Sequence, residues 1–100
     1  VTVPVIVLPE AERDLAEAFA WYEEQRPGLG RGFLDEAEAI FARISEFPLA
    51  FPAVEDAVRR GFLKRFPFAV YFLTQAAVVT VYAVLHHRRE PGIWNERLGL

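Results

Sequence analysis

The chain has no cysteine, no methionine and a single lysine, Lys64. No apolar run approaches the ~18 residues of a membrane-spanning helix. The absence of cysteine excludes disulfides and thiolate chemistry and fits a reducing compartment. The opening VTVPVIVLPE has neither the basic flank nor the small-residue cleavage site of a secretory leader, so a cytoplasmic location is expected. The chain begins at Val1 and lacks methionine, so an altered or missing natural start is expected. Scarce lysine and a net charge of −3 argue against a protein that grips a polyanion over its whole surface.

What is present is apolar. Hydrophobic residues make up 53% and aromatics 14% of the 100 positions. That is rich for one small domain, here expected to span 1–100, and leaves apolar surface for a partner to cover. Charge is polarised along the chain. Residues 1–56 hold 12 acids and 4 bases, and residues 57–100 hold 2 acids and 7 bases. An anionic partner must therefore meet the second half.

Residues 3–8 are a short β-branched run interrupted by Pro4, which confines the strand to an edge or to positions after the proline. Pro9 and the acids Glu10, Glu12 and Asp14 suit the first turn of a helix. Ala11, Leu15, Ala18, Phe19 and Tyr22 then mark one helical face, and after RPGLGRG a second face follows with Phe33, Ala37, Ile40, Phe41 and Ile44. Two such helices joined by a short turn predict an antiparallel hairpin. Beyond the irregular PLAFPAVEDA, three strand-like runs at 58–65, 68–74 and 78–86 predict an antiparallel meander. VVTVYAVL reads as a central strand covered on both faces, and the basic VRRGFLKR as an edge. The expected class is α+β, in the order β-α-α-β-β-β, with the helical hairpin on one face of a four-stranded antiparallel sheet.

The chemistry-bearing residues cluster at Arg59, Arg60, Lys64 and Arg65 and at His86, His87, Arg88 and Arg89. Strand alternation forbids all of the first group from sharing a surface. If Arg59 and Arg65 share the exposed face, Lys64 points to the other face or the edge. Such arginines hold carboxylates or phosphates through a planar fork, although charges on edge strands also serve simply to block unwanted pairing. His86 and His87 fall on opposite faces, so only one can serve a given site. The ordinary role for such a histidine is a structural hydrogen bond, and for Tyr71 and Tyr82 cross-strand packing. Trp94 is expected to fold back onto the sheet. The sequence groups no metal-ligand set, and no cofactor is expected.

The combination of Tyr22-Glu23, PGLGRGF, VRRGFLKRFPFAVYF and VYAVLHHRREPGIWNER resembles toxins of the ParE/RelE superfamily over nearly the whole chain, in particular the ParE-type plasmid stabilisation proteins. The terminal pattern His-x-x-Arg-x-Pro-x-x-Trp-x-x-Arg falls on His86, Arg89, Pro91, Trp94 and Arg97. The resemblance implies the toxin of a type II toxin–antitoxin pair, neutralised by a cognate antitoxin in a hetero-oligomer. It also implies a first strand at the sheet edge beside the last. ParE-like members block DNA gyrase by binding. RelE-like members cut messenger RNA on the ribosome, a chemistry that needs a strongly basic site. With one lysine and an RLGL ending, this chain is expected to be a gyrase binder, with Arg59, Lys64, Arg65, His87, Arg88, Arg89, Trp94 and Arg97 contacting target or antitoxin. The alternatives are a ribosome-dependent nuclease built on Arg59, Lys64, His86 and Arg89, and a non-toxic binding module on the same fold.

Overall fold

Pro9 fixes the first turn of a helix and Glu10 and Glu12 face its positive end, so α1 (Pro9–Gln25) starts where the sequence places it. The computed structural model describes residues 2–55, 57–89 and 92–98. Gly28, at φ 90°, occupies the left-handed region that glycine adopts freely, and turns the chain into α2 (Leu29–Glu46). Glu23 caps that turn, its carboxylate accepting from the backbone N–H of Gly28 at 2.9 Å and of Gly30 at 3.0 Å. A Cβ on Gly30 would come within 2.7 Å of the Phe19 carbonyl oxygen, so this residue lets the two helices touch.

A turn of 3-10 helix, Pro48–Ala50, leads into β2 (Ala53–Glu55), β3 (Val58–Phe62), β4 (Phe68–Gln75) and β5 (Val78–His86). With β1 (Val5–Val7) these form one sheet in the order β1-β5-β4-β3-β2, and a short helix, α3 (Ile93–Leu98), follows. Four expectations change. The sheet has five strands rather than four, because three residues of the irregular stretch pair outside β3, so the basic strand is not the edge. That strand also stops at Phe62. The sheet is mixed, since β1 runs parallel to β5 while the remaining pairs are antiparallel. As expected, β1 is an edge beside the last strand and begins after Pro4, whose carbonyl accepts from Val79 N–H at 2.9 Å.

The helical hairpin covers one face of the sheet. Phe33, Ile40 and Ile44 pack there against Val70, Phe72, Val79, Val81 and Val84. The Arg-Phe-Pro-Phe segment supplies Phe66 and Phe68 to an aromatic knot with Tyr22 and Phe33, at centroid separations of 4.8 to 6.0 Å. On the opposite face, Tyr71, Tyr82 and Leu85 pack with Trp94, whose ring stacks on Tyr71 at 5.4 Å. The strand β5 is thus covered on both sides. A bulge at Tyr82 sets its phase: Tyr71 pairs with Ala83 and Phe72 with Val81, leaving Tyr82 without an opposite number. Tyr82 and Ala83 consequently turn to the same face, and every side chain after them is shifted by one.

Because β1 is only three residues long, the edge of β5 beyond Val81 has no strand beside it. Two side chains take its place. Asp14 of α1 accepts from Val84 N–H at 3.0 Å, and Arg97 of α3 donates to the Tyr82 carbonyl at 3.2 Å. The two also pair with each other through a double contact of 2.6 and 2.8 Å.

Two stability predictions follow from this geometry. Asp14→Ala strips a nearly buried ion pair of its carboxylate and leaves the Val84 N–H unpaired. It should cost about 3 kcal/mol in denaturant unfolding, and Asp14→Asn, which keeps an acceptor, distinctly less. In the β4–β5 turn, Ala76 (φ 51°) and Ala77 (φ 60°) both adopt the left-handed conformation that Asn-Gly prefers. Ala77→Gly should therefore gain about 1 kcal/mol and raise Tm by roughly 4–8 °C in a thermal scan.

Candidate functional site

Where β5 runs on past β1, α1 passes above it and leaves a groove of about 370 Å³. Ala18, Phe68 and Val84 line its apolar floor, and Asp14, Glu17 and Trp21 come from the helix stripe next to the core-facing one. His86 and Arg89 close the far end. Trp21, at the rim of this groove, is 49% exposed. Burial raises the Tyr22 phenol above its ordinary value, partly offset by the positive charge of Arg89. The groove therefore has an acidic side, an apolar floor and a cationic end. That arrangement suits a peptide segment with apolar anchors and a terminal acidic group.

His86 shapes this end of the groove. Its ring lies against Phe68 at 5.4 Å, its Nδ1 accepts from Arg88 N–H at 3.3 Å, and its carbonyl accepts from Arg89 N–H at 3.1 Å. The imidazole thus holds the turn that presents Arg89. His87 points to the opposite face, its ring 5.0 Å from that of Phe62. Burial lowers its pKa, and Arg88, His86 and Arg60 lower it further.

The four residues required for the nuclease are not brought together. Arg59 does not share an exposed face with Arg65. It turns to the helix side, where its guanidinium donates to the Phe51 carbonyl at 2.6 Å. Arg65 pairs with Glu36 at 2.6 Å, and the backbone N–H groups of Lys64 and Arg65 donate to the same carboxylate. Burial would raise the Glu36 carboxyl, but these hydrogen bonds hold it below the ordinary range. Lys64 lines a second, smaller groove of about 230 Å³ beside α2, and only His86 and Arg89 of the four meet at the first. Arg88 and Arg89 are exposed after β5, Trp94 is buried on the sheet, and Arg97 is engaged with Asp14. Pro91 lies outside the described residues. Among those residues no group of three or more histidines, aspartates or glutamates is placed to hold a metal ion, and no helix is long and apolar enough to cross a membrane.

Sequence reasoning missed Asp14 as a partner of Arg97, and Glu17, Trp21 and Tyr22 as groove residues. It also left Arg60 and Phe62 unassigned. A signal for the helix residues was present: positions 14, 17 and 21 form a stripe beside the core face, and it carries a tryptophan.

The model of the family described as ParE toxin of type II toxin-antitoxin system, parDE, matches residues 5–91. Comparison with curated proteins gives no match. Among solved structures, a chain of the chromosomal ParDE TA system from P. aeruginosa superposes with a TM-score of 0.73 at 15% identity, covering 83% of this chain and 94% of that one. At that identity the superposition speaks for the shared fold. The family match spans most of the chain, from β1 through the turn after β5, and on that ground the chain belongs to the ParE toxin family of type II toxin–antitoxin systems.

Proposed function

We propose that the chain, acting as one domain in the cytoplasm, blocks DNA gyrase by binding and is neutralised by a cognate antitoxin laid in the groove between α1 and β5. The observation that carries this reading is the pairing of a half-exposed Trp21 with Arg89 around an apolar floor, while Arg59 is bonded to the Phe51 carbonyl and Lys64 lies at a separate groove. A surface of that kind gains energy from being covered and has no assembled cationic site for phosphodiester cleavage. Trp21 is the anchor, Arg89 is the charged fork, and His86 is a positioning residue for Arg89.

Co-expression with the antitoxin encoded beside it should raise soluble yield and thermal stability, as a ligand specific to the folded state must. Trp21→Ala should weaken the complex by about 2 kcal/mol, roughly 30-fold, by calorimetry. A folded Trp21→Ala protein with unchanged antitoxin affinity would move the partner off this groove. For the target, purified protein should inhibit gyrase supercoiling and leave ribosome-bound message intact. Arg89→Lys, which keeps charge and loses the planar fork, should reduce inhibition more than His86→Gln does. Cuts in ribosome-bound message, or a folded His86→Gln protein with no toxicity beside a fully toxic Arg89→Lys, would place the activity with nuclease chemistry. A chain harmless on induction in cells lacking the antitoxin would leave a binding module.

A further inference from the structure

The face of the sheet opposite the α1 groove carries a second cluster, which the toxin reading does not use. Phe62 of β3, Ala69 of β4 and Leu85 of β5 share one cross-strand row. Ala69 is small, so His87, two residues past Leu85, reaches over it to the Phe62 ring. Arg60, two residues before Phe62, places its guanidinium over the same ring at 4.7 Å from the centroid. Its Nε is buried and has no hydrogen-bond partner. Arg88 follows His87 directly and is exposed. Among the described residues, the ion pairs involve Arg31, Arg65 and Arg97, and no carboxylate pairs with Arg60, His87 or Arg88.

Arg60 and His87 thus flank one aromatic ring, Arg88 stands beside His87, and none of the three has a carboxylate partner among the described residues. Burial first, and the neighbouring charges second, disfavour the imidazolium, and an anion would relieve the charge crowding. Phe62 is 47% exposed, so part of its ring remains open to a planar partner. We propose that this face binds a nucleotide unit of single-stranded nucleic acid, its phosphate held by Arg60, His87 and Arg88 and its base resting against Phe62. A carboxylate of an acidic peptide would satisfy the cations and leave the ring unused. A duplex would satisfy the cations and keep its bases stacked inside. Only an unstacked nucleotide uses both features, the combination by which single strands are gripped without sequence preference. The proposal concerns binding, without cleavage, and is independent of the antitoxin groove.

The test uses the full chain and a fluorescent short oligothymidylate, with histidine C–H resonances followed by NMR. Binding should weaken with salt at a log–log slope of about −0.7, as expected for one neutralised phosphate on a single strand. It should strengthen as pH falls through the His87 pKa, because the phosphodiester does not titrate there and the imidazolium is the form that binds. Among the described residues, the titratable, charged and aromatic groups near His87 are Arg60, Arg88, His86 and Phe62. Oligothymidylate should therefore raise the His87 pKa.

Phe62→Ala should lose roughly 5- to 100-fold in affinity, and Phe62→Tyr should retain most of it. Arg88→Gln, at an exposed position, should weaken binding without a change in Tm. Arg60→Lys guards against a folding defect in Arg60→Gln. Thymidine monophosphate binding more tightly than inorganic phosphate supports the base contact, and equality with the oligonucleotide would identify free nucleotide as the source. The proposal is overturned if folded protein does not bind oligothymidylate at low salt, or if Phe62→Ala binds as well as the parent. It is equally overturned if duplex DNA or an acidic peptide of matched charge competes better than the single strand. None of these results bears on Trp21 or Arg89, so the toxin reading stands or falls separately.

Discussion

The carboxylate of Asp14 answers a problem posed by strand lengths. The central strand β5 is nine residues long, and the parallel strand beside it is three. Beyond Val81 the backbone of β5 would face the helices with unpaired donors and acceptors, an unfavourable state in a partly buried place. Asp14 and Arg97 supply one acceptor and one donor there. In doing so they join α1, β5 and α3, segments that are far apart in sequence. The groove exists for the same reason. A longer first strand would fill it, and the clasp adds to the core contacts of Ala11 and Ala18 in holding the helix above the open edge.

Alternation along β5 then distributes a contiguous run of charge between two faces. His86 and Arg89 go to the groove, while His87 goes to the open sheet beside Arg60. In sequence the four cationic and titratable residues from 86 to 89 look like one site, yet the strand and its following turn divide them. The acidic first half of the chain contributes the other wall of the groove through Asp14 and Glu17. The open face receives its cations from the basic second half alone. Each face thus has a distinct electrostatic character, although net charge describes neither.

Much of this architecture was legible because local physics specified it. The apolar stripes of both helices, the glycine-rich turn, the meander and the return of Trp94 all rest on periodicity or on turn chemistry within a few residues. The parts that were not legible depend on contacts distant in sequence. Nothing local in PAVE marks Ala53–Glu55 as a strand, and its pairing with β3 becomes visible only once the sheet exists. Parallel pairing of β1 leaves no signature in seven residues. Arg59 could not be assigned to a face without knowing that Phe51 would present a bare carbonyl to it. Asp14 read as a helix-start acid, yet only Glu10 and Glu12 stand in the first turn, and its partner lies 83 residues away.

The bulge at Tyr82 has a consequence for how relatives are compared. Side-chain facing in a strand has a parity, and one unpaired residue inverts it for everything downstream. Here the inversion decides that the first histidine of the pair looks into the groove and the second onto the open sheet. A relative with the same His-x-x-Arg spelling but an unbulged last strand would present the rings the other way round. Aligned letters in this segment therefore do not guarantee aligned surfaces. Equivalence between family members has to be traced through strand register upstream of the motif.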